Sequence, residues 1–75
     1  MPPMTGTPFV LRGEFIALDA LLKATGLAGS GGEAKQLIVA GAVQVNGEAE
    51  TRRGRKLRAG DTVAANGTQV LVQAS

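Results

Sequence analysis

The sequence contains no cysteine, histidine, tryptophan or tyrosine, and only two phenylalanines among its 75 residues. Without Cys and His, the chain lacks the usual zinc ligands, the strongest side-chain nucleophile and the commonest general base. It also lacks the Gly-Lys-Ser/Thr end of a Walker motif, and it has no Gly-x-Gly-x-x-Gly sequence between a strand and a helix. We therefore predict a protein that is not an enzyme and that binds no metal or cofactor.

Long apolar runs are absent as well. No stretch of 18 apolar residues occurs, so we expect no transmembrane helix and no membrane partner. The N-terminus lacks the basic and apolar regions of a signal peptide, and the lack of cysteine fits a reducing compartment, so a cytoplasmic location is expected. A chain of this length forms one domain at most. We predict that this domain covers residues 9–75 and follows a flexible tail, residues 1–8.

Carboxylates remain as possible acid–base catalysts. Glu48 and Glu50 have the spacing of two side chains on one face of a strand. Both lie beside a predicted turn and close to arginines, however. We therefore interpret them as solvated charges that contribute to solubility.

Hydrophobic spacing predicts two helices after a short strand at 9–12. The first helix, about 17–25, follows from the spacing of its leucines, and Gly26 suits the left-handed conformation that ends a helix, with Leu27 folding back onto it. Ser30 and Glu33 have the spacing of a capping box at the start of the second helix, which ends near Gly41. Its apolar face consists of Ala34, Leu37 and Ile38. The two helices form a helix-turn-helix pair.

Turn motifs predict a small sheet in the rest of the chain. Asn46-Gly47, after the alternating Val43 and Val45, is a strong hairpin motif because both turn residues tolerate positive φ. Further along, the pattern predicts a turn at Gly60-Asp61, a strand over 62–64, a turn at Asn66-Gly67 and a strand over 69–72. The predicted fold class is α+β, with the helix-turn-helix pair packed on a small, mostly antiparallel sheet.

Basic residues are concentrated in one place. Residues 1–50 carry three basic and five acidic side chains, whereas residues 51–75 carry five basic and one acidic. All five lie in Thr51–Arg58, which we call the basic segment: Arg52, Arg53, Arg55, Lys56 and Arg58. Since arginine can contact two phosphate oxygens at once, this clustering favours a nucleic-acid partner. The alternative interpretation is a solvated loop that keeps the protein soluble.

The start of the second helix, Ser30, Gly31 and Gly32, is a second candidate site. Glycine in a helix costs up to about 1 kcal/mol relative to alanine. Close approach of an anion to the exposed amides would explain these glycines, and Lys35 one turn later could reach the same phosphate. A tight turn or backbone packing against the sheet is the alternative explanation. Lys23 on the first helix is a further candidate, or an ordinary surface lysine.

The two aromatic residues, Phe9 and Phe15, both lie in apolar sequence contexts. Proteins that bind single strands usually stack bases on exposed aromatic rings, and we expect no such rings here. Recognition should then depend on phosphates, 2′-hydroxyls and shape, which favours folded RNA.

An ordered pattern runs from Leu18 to Val63. It comprises Leu18-Asp19 and Leu22, then Ser30 with Glu33-Ala34-Lys35, then Val45-Asn46-Gly47, then the basic segment, and then Gly60-Asp61. This pattern resembles the RNA-binding domain first seen in ribosomal protein S-four, also called the alpha-L motif, and more closely its stand-alone bacterial YbcJ-like subgroup. The resemblance implies that the two helices and the following loop form an RNA surface. It implies anion contacts from Ser30, Gly31, Gly32, Lys35, Arg52, Arg53, Arg55 and Lys56.

Two positions depart from the pattern of the wider family. Many members have an arginine directly after the serine of the second helix and another just before the Leu-Asp of the first. This chain has Gly31 and Ala17 there. The departure implies an RNA surface shifted toward the basic segment.

The predicted function is therefore non-catalytic binding of structured RNA, which could be rRNA, a ribosomal particle or tRNA, by a monomeric protein. The alternative is a protein-interaction adaptor whose basic segment binds an acidic protein partner. A peripheral membrane protein is disfavoured because neither predicted helix is basic and amphipathic.

Overall fold

The computed structural model describes residues 7–74. The elements follow the chain in the order β1 (Thr7–Val10), β2 (Ile16–Ala17), α1 (Leu18–Ala24), α2 (Gly31–Val39), β3 (Gln44–Val45), β4 (Glu48–Ala49), β5 (Lys56–Leu57), β6 (Thr62–Ala65) and β7 (Thr68–Gln73). Residues 1–6 of the predicted tail lie outside the described residues. Its last two residues, Thr7 and Pro8, belong to β1, so the sheet begins two residues before the predicted domain start.

Helix α1 forms where the leucine spacing predicts it. Leu18, Leu21 and Leu22 are all fully buried. Gly26 has φ +79°, as expected for a helix end, and the Ala28 amide donates to the Leu22 carbonyl at 3.0 Å, which closes the last turn. The helix begins one residue later than predicted because residues 16–17 pair in β2 instead.

Helix α2 has the predicted cap. The Glu33 amide donates to Ser30 Oγ at 3.1 Å, and Gly41 has φ +75° just after the helix. Ala34 and Ile38 are buried, and Leu37 packs against the core from its edge. The Ser30 cap and the apolar face of this helix are therefore confirmed, but within residues 7–74 the Glu33 side chain does not accept from the Ser30 amide as a full capping box requires.

The main sheet has the strand order β1-β7-β6-β3-β4. Both predicted asparagine–glycine turns are present, with φ +53° at Asn46 and +52° at Asn66, so β3/β4 and β6/β7 are hairpins. Strand β1 pairs with β7 in parallel, and the other pairs in this sheet are antiparallel. The α+β class with a mostly antiparallel sheet is confirmed; the sequence did not predict the parallel pair.

A second, two-stranded ladder joins the region before α1 to the basic segment. Strands β2 and β5 pair antiparallel, with Ile16 opposite Leu57 and Ala17 opposite Lys56. Leu57 is fully buried in the core between the helices and the sheet. Burial of a leucine stabilises a fold by about 1.5–3 kcal/mol, so this side chain anchors the middle of the basic segment.

Within residues 7–74 the longer helix has nine residues, so none can cross a bilayer. Over the same range, no three acidic side chains group as metal ligands would.

Candidate nucleic-acid interface

The backbone of the basic segment is fixed against the start of α1. This helix has Ala17 at its N-cap and therefore no side-chain cap. Its first amides donate instead to carbonyls of the basic segment: Leu18 to Arg55 at 2.9 Å and Asp19 to Arg53 at 3.2 Å. Because helix amides need acceptors, the segment is a structural part of the helix terminus. Its backbone is therefore not loose, and its role in nucleic-acid binding stays a prediction.

Glu50 corrects the sequence analysis. We expected a solvated carboxylate, but only 7% of this residue is exposed. Arg52 Nε lies 3.0 Å and an Arg55 guanidinium nitrogen 2.7 Å from its oxygens. Hydrogen bonds from Arg52, and then from Arg55, lower the pKa of the Glu50 carboxyl to about 2, although burial acts in the opposite direction. The carboxylate thus positions two arginines while neutralising part of their charge.

A second carboxylate fixes the other end of the basic segment. The Arg58 amide donates to Asp61 Oδ2 at 2.8 Å, and Asn46 Nδ2 donates to Asp61 Oδ1 at 3.1 Å. Burial is the largest single effect and raises the pKa of Asp61, but the two hydrogen bonds together with the charges of Arg55 and Arg58 lower it overall. Asn46 also accepts from the Thr62 amide at 2.9 Å, so the first hairpin turn and the end of the segment form one network.

The five cations of the segment differ in their surroundings. Arg52 remains exposed over 73% of its side chain despite its ion pair, whereas Arg55 is only 33% exposed. Arg53, Lys56 and Arg58 are exposed, and within residues 7–74 no carboxylate comes within 4 Å of their charged groups. Thr51 is exposed between Glu50 and these cations. The structure therefore divides the predicted cluster into two arginines paired with Glu50 and three cations that have no carboxylate within 4 Å in the described part of the chain.

Lys56 in β5 and Arg58 directly after it flank the buried Leu57. Both approach the ring of Phe15: the Lys56 ammonium lies 4.9 Å and the Arg58 guanidinium carbon 5.8 Å from its centroid. Phe15 is 45% exposed. The expectation that no aromatic ring is exposed is therefore wrong for Phe15. It is correct for Phe9, which packs against the core.

The start of α2 presents exposed backbone. A Cβ added to Gly31 would meet nothing within 4 Å, and one added to Gly32 would meet only Ser30 Oγ at 3.9 Å. Neither glycine has a positive φ. Both alternative explanations of these glycines, a tight turn and close backbone packing, are therefore wrong. The first helical amides have no intrahelical acceptors, and the Ser30 hydroxyl accepts only from Glu33 among residues 7–74.

Lys35 lies beside this helix start. It lines a shallow depression of about 470 Å³ together with Gly32, Gln36, Val39 and Ala40. Lys23 is exposed on the last turn of α1. The basic segment is bonded to the first residues of α1, whereas α2 follows its C-terminal end. The basic segment therefore adjoins the N-terminal end of α1, and the chain continues to the start of α2 from its C-terminal end. Helix α1 has seven residues and is about 10 Å long.

Sequence reasoning missed Glu50 and Phe15 as parts of this interface. One signal for Glu50 was available, because a carboxylate two residues from one arginine and five from another can pair with both. No such signal existed for Phe15. Its neighbours Lys56 and Arg58 are more than 40 positions away, and a two-residue ladder has no detectable periodicity.

Comparison with known proteins gives one family. A family model described as S4 domain matches residues 9–73. The chain is 42% identical over 60 residues to "Probable ribosome maturation protein RlbA" of Bacillus subtilis (strain 168), covering 80% of this chain and 84% of that protein. It is also similar to the solution structure of YbcJ from E. coli, described as revealing an alfa-L motif involved in RNA binding. That structure has 38% identity and a TM-score of 0.65, covering 99% of this chain and 92% of that one.

Proposed function

Because this chain belongs to the S4 domain family, we propose that it is a non-catalytic protein that binds structured RNA through its basic segment. The observation that carries the proposal is the state of Arg53, Lys56 and Arg58. Their backbone is fixed to α1 and the sheet, and their charges have no carboxylate partner among residues 7–74. Because their backbone is already fixed, these cations can bind phosphates without the cost of ordering the chain, and only their side chains become ordered on binding.

The energetics of such a surface are dominated by counterions. Each cation that neutralises a phosphate releases condensed counterions, which gives affinity that falls steeply with salt. Arg52 adds a fourth contact, since most of its side chain is exposed and its orientation is set by Glu50. Arg55 contributes less to binding, because it is two-thirds covered and paired with the same carboxylate.

A second phosphate contact is proposed at the start of α2. The amides of Gly31 and Gly32 point out of the helix terminus, where the helix dipole favours negative charge. The absence of a Cβ lets a phosphate approach closely, and Lys35 stands on the next turn. Lys23 and Ser30 complete this group. A backbone contact of this kind replaces the arginine that many members of the family have at position 31.

We propose ribosomal RNA, free or within a ribosomal particle, as the target. The name of the Bacillus subtilis relative concerns ribosome maturation, and that relative matches most of this chain. The second possible target is tRNA, which is also a structured RNA and presents the same phosphates. Action as a monomer in the cytoplasm, without metal or cofactor, also stays a prediction, as does the single domain of residues 9–75.

The test measures binding of the full chain to ribosomal subunits, protein-free rRNA, tRNA and duplex DNA under the same buffer conditions. We expect rRNA or subunits to bind at least tenfold more tightly than duplex DNA. Equal affinity for all four would indicate general polyanion binding and contradict the proposal. If no nucleic acid binds at low salt, the basic segment has another partner, and acidic proteins become the class to test.

A further inference from the structure

We propose that Phe15, together with Lys56 and Arg58, forms a platform on which one unpaired nucleobase of the bound RNA stacks. This inference rests on the proposed function and specifies the kind of RNA. It assigns a role to a residue that phosphate binding leaves unexplained. An S4-type surface built from cations alone needs no aromatic ring beside its basic segment.

Phe15 is one of three large apolar residues that are exposed within residues 7–74, the others being Val10 and Val39. Leucines and isoleucines of the described residues are buried or partly buried, and the other phenylalanine packs against the core. Phe15 nevertheless leaves 45% of its surface exposed. Its neighbour Ile16 points toward the core and satisfies the need for an apolar anchor at this ladder. Phe15 directly precedes the paired residues of β2, so its ring lies beside the ladder and is open to contact with a ligand.

The cations beside the ring have a defined register. The ladder ends at the pair Ile16 and Leu57, so Phe15 and Arg58 are the next residues beyond it on the two backbone segments, and Lys56 lies one position further in, opposite Ala17. Their charged groups lie 5.8 and 4.9 Å from the ring centroid. Neither has a carboxylate within 4 Å among residues 7–74. Because both cations lie over the ring, a base that stacks on Phe15 would use the opposite face or displace a cation, and the cations would then contact the phosphates beside that base.

A concavity adjoins the ring. It has a volume of about 340 Å³ and is lined by Phe15, by the end of β1 and by Arg12. This volume lies within the range of about 300–1,000 Å³ found for small-molecule sites. Val10, exposed over half its surface, adds a second apolar wall. The surface therefore combines an aromatic face, apolar walls and three cations, which is the chemistry that recognises a nucleotide out of a stack.

The consequence is a preference for RNA stems that carry an unpaired nucleotide. A fully paired stem keeps its bases inside the helix and can use only the cations. A bulged or looped-out base can stack on the ring, and such stacking strengthens binding by about five- to one-hundred-fold. The preference should vary little among the four bases, because each has a π-face.

The experiment compares two RNAs of equal length, a fully paired stem and the same stem with one bulged adenosine, against four proteins. We expect the wild-type protein to prefer the bulged stem at least fivefold. Phe15→Leu should lose this preference while it keeps the affinity for the paired stem, and Phe15→Tyr should retain it. Thr68→Ala, at an exposed position of the β6/β7 hairpin, serves as the control, with the preference unchanged. Thermal unfolding of each variant checks that it is folded.

Phe15→Trp provides a direct readout, because its indole would be the only one in the chain. Stacking of a base should quench its fluorescence with the bulged stem and much less with the paired stem. If Phe15→Leu prefers the bulged stem as strongly as wild type, or if both stems quench the indole equally, the platform is wrong while RNA binding stands. If the wild-type protein binds neither stem at low salt, the proposed function itself fails.

Discussion

The carboxylate of Glu50 accepts a hydrogen bond of 2.7 Å from the guanidinium of Arg55, in a position where only 7% of the glutamate is exposed. Arg52 contacts the same carboxylate with both its side chain and its amide. One buried acid therefore organises the first half of a basic surface. This arrangement separates arginines that stabilise the surface from cations that are free to bind.

The first prediction concerns acid stability. The pKa of Glu50 is about 2 in the folded protein and about 4.5 without its partners. A lowered folded-state pKa contributes stability above the unfolded value, and this stability is lost as the pH falls from about 4.5 toward 2. Glu50→Gln should therefore unfold at a lower temperature than wild type at pH 6, and the difference should vanish near pH 2.

Thermal melts at several pH values measure this difference. Glu48→Gln is the matched control, because Glu48 is exposed and forms no salt bridge among residues 7–74. The melting temperatures of the wild type and of both variants should still fall somewhat in acid, because all three proteins contain Asp61, whose pKa is also lowered. A Glu50→Gln difference that stays constant down to pH 2 would contradict the ion-pair account.

The second prediction is that Arg55 mainly stabilises the fold, whereas Arg53 mainly contributes to RNA binding. Arg55→Ala removes a partner from a buried carboxylate, so it should lower the melting temperature and change the salt dependence of RNA binding little. Arg53→Ala removes an exposed charge with no carboxylate partner. It should leave the melting temperature within a degree or two and reduce the slope of log K against log salt by about one. The reverse pattern in melting and binding assays would show that the division into structural and binding arginines is wrong.

The third prediction concerns the glycines of α2. Because no atom stands in the way of a Cβ, Gly31→Ala and Gly32→Ala should each stabilise the protein, by up to about 1 kcal/mol. The same changes should weaken RNA binding several-fold, because the added methyl group hinders phosphate approach to the amides. If the glycine variants are stabilised and bind RNA as well as wild type does, the helix start makes no phosphate contact.

The sequence predicts those structural features that depend on residues close together in the chain, and not those that depend on residues far apart. The cap at Ser30 and the turns at Asn46 and Asn66 are set by neighbouring residues, so the sequence predicts them. The buried face of α2 follows from its period. The parallel pairing of β1 with β7 joins residues more than 60 positions apart, and local patterns contain no information about it.

The candidate site shows the same division. Clustering of the basic residues is visible in the sequence, and it correctly identifies where the positive charge lies. Which cations are paired depends on the burial of Glu50, and burial is decided by packing of the whole domain. The placement of Phe15 beside Lys56 and Arg58 likewise depends on a ladder of two residues per strand, too short for any pattern to predict.

The most direct test of RNA binding by the basic segment is the salt dependence of affinity for rRNA. The triple variant Arg53→Ala, Lys56→Ala, Arg58→Ala is compared with wild type and with Thr68→Glu, which lowers the net charge at the far end of β6 from the segment. We predict that the slope of log K against log salt falls by about two to three in the triple variant, and by much less in Thr68→Glu. A triple variant that is folded and keeps the wild-type slope would contradict the account, since the phosphates would then be bound elsewhere on the protein.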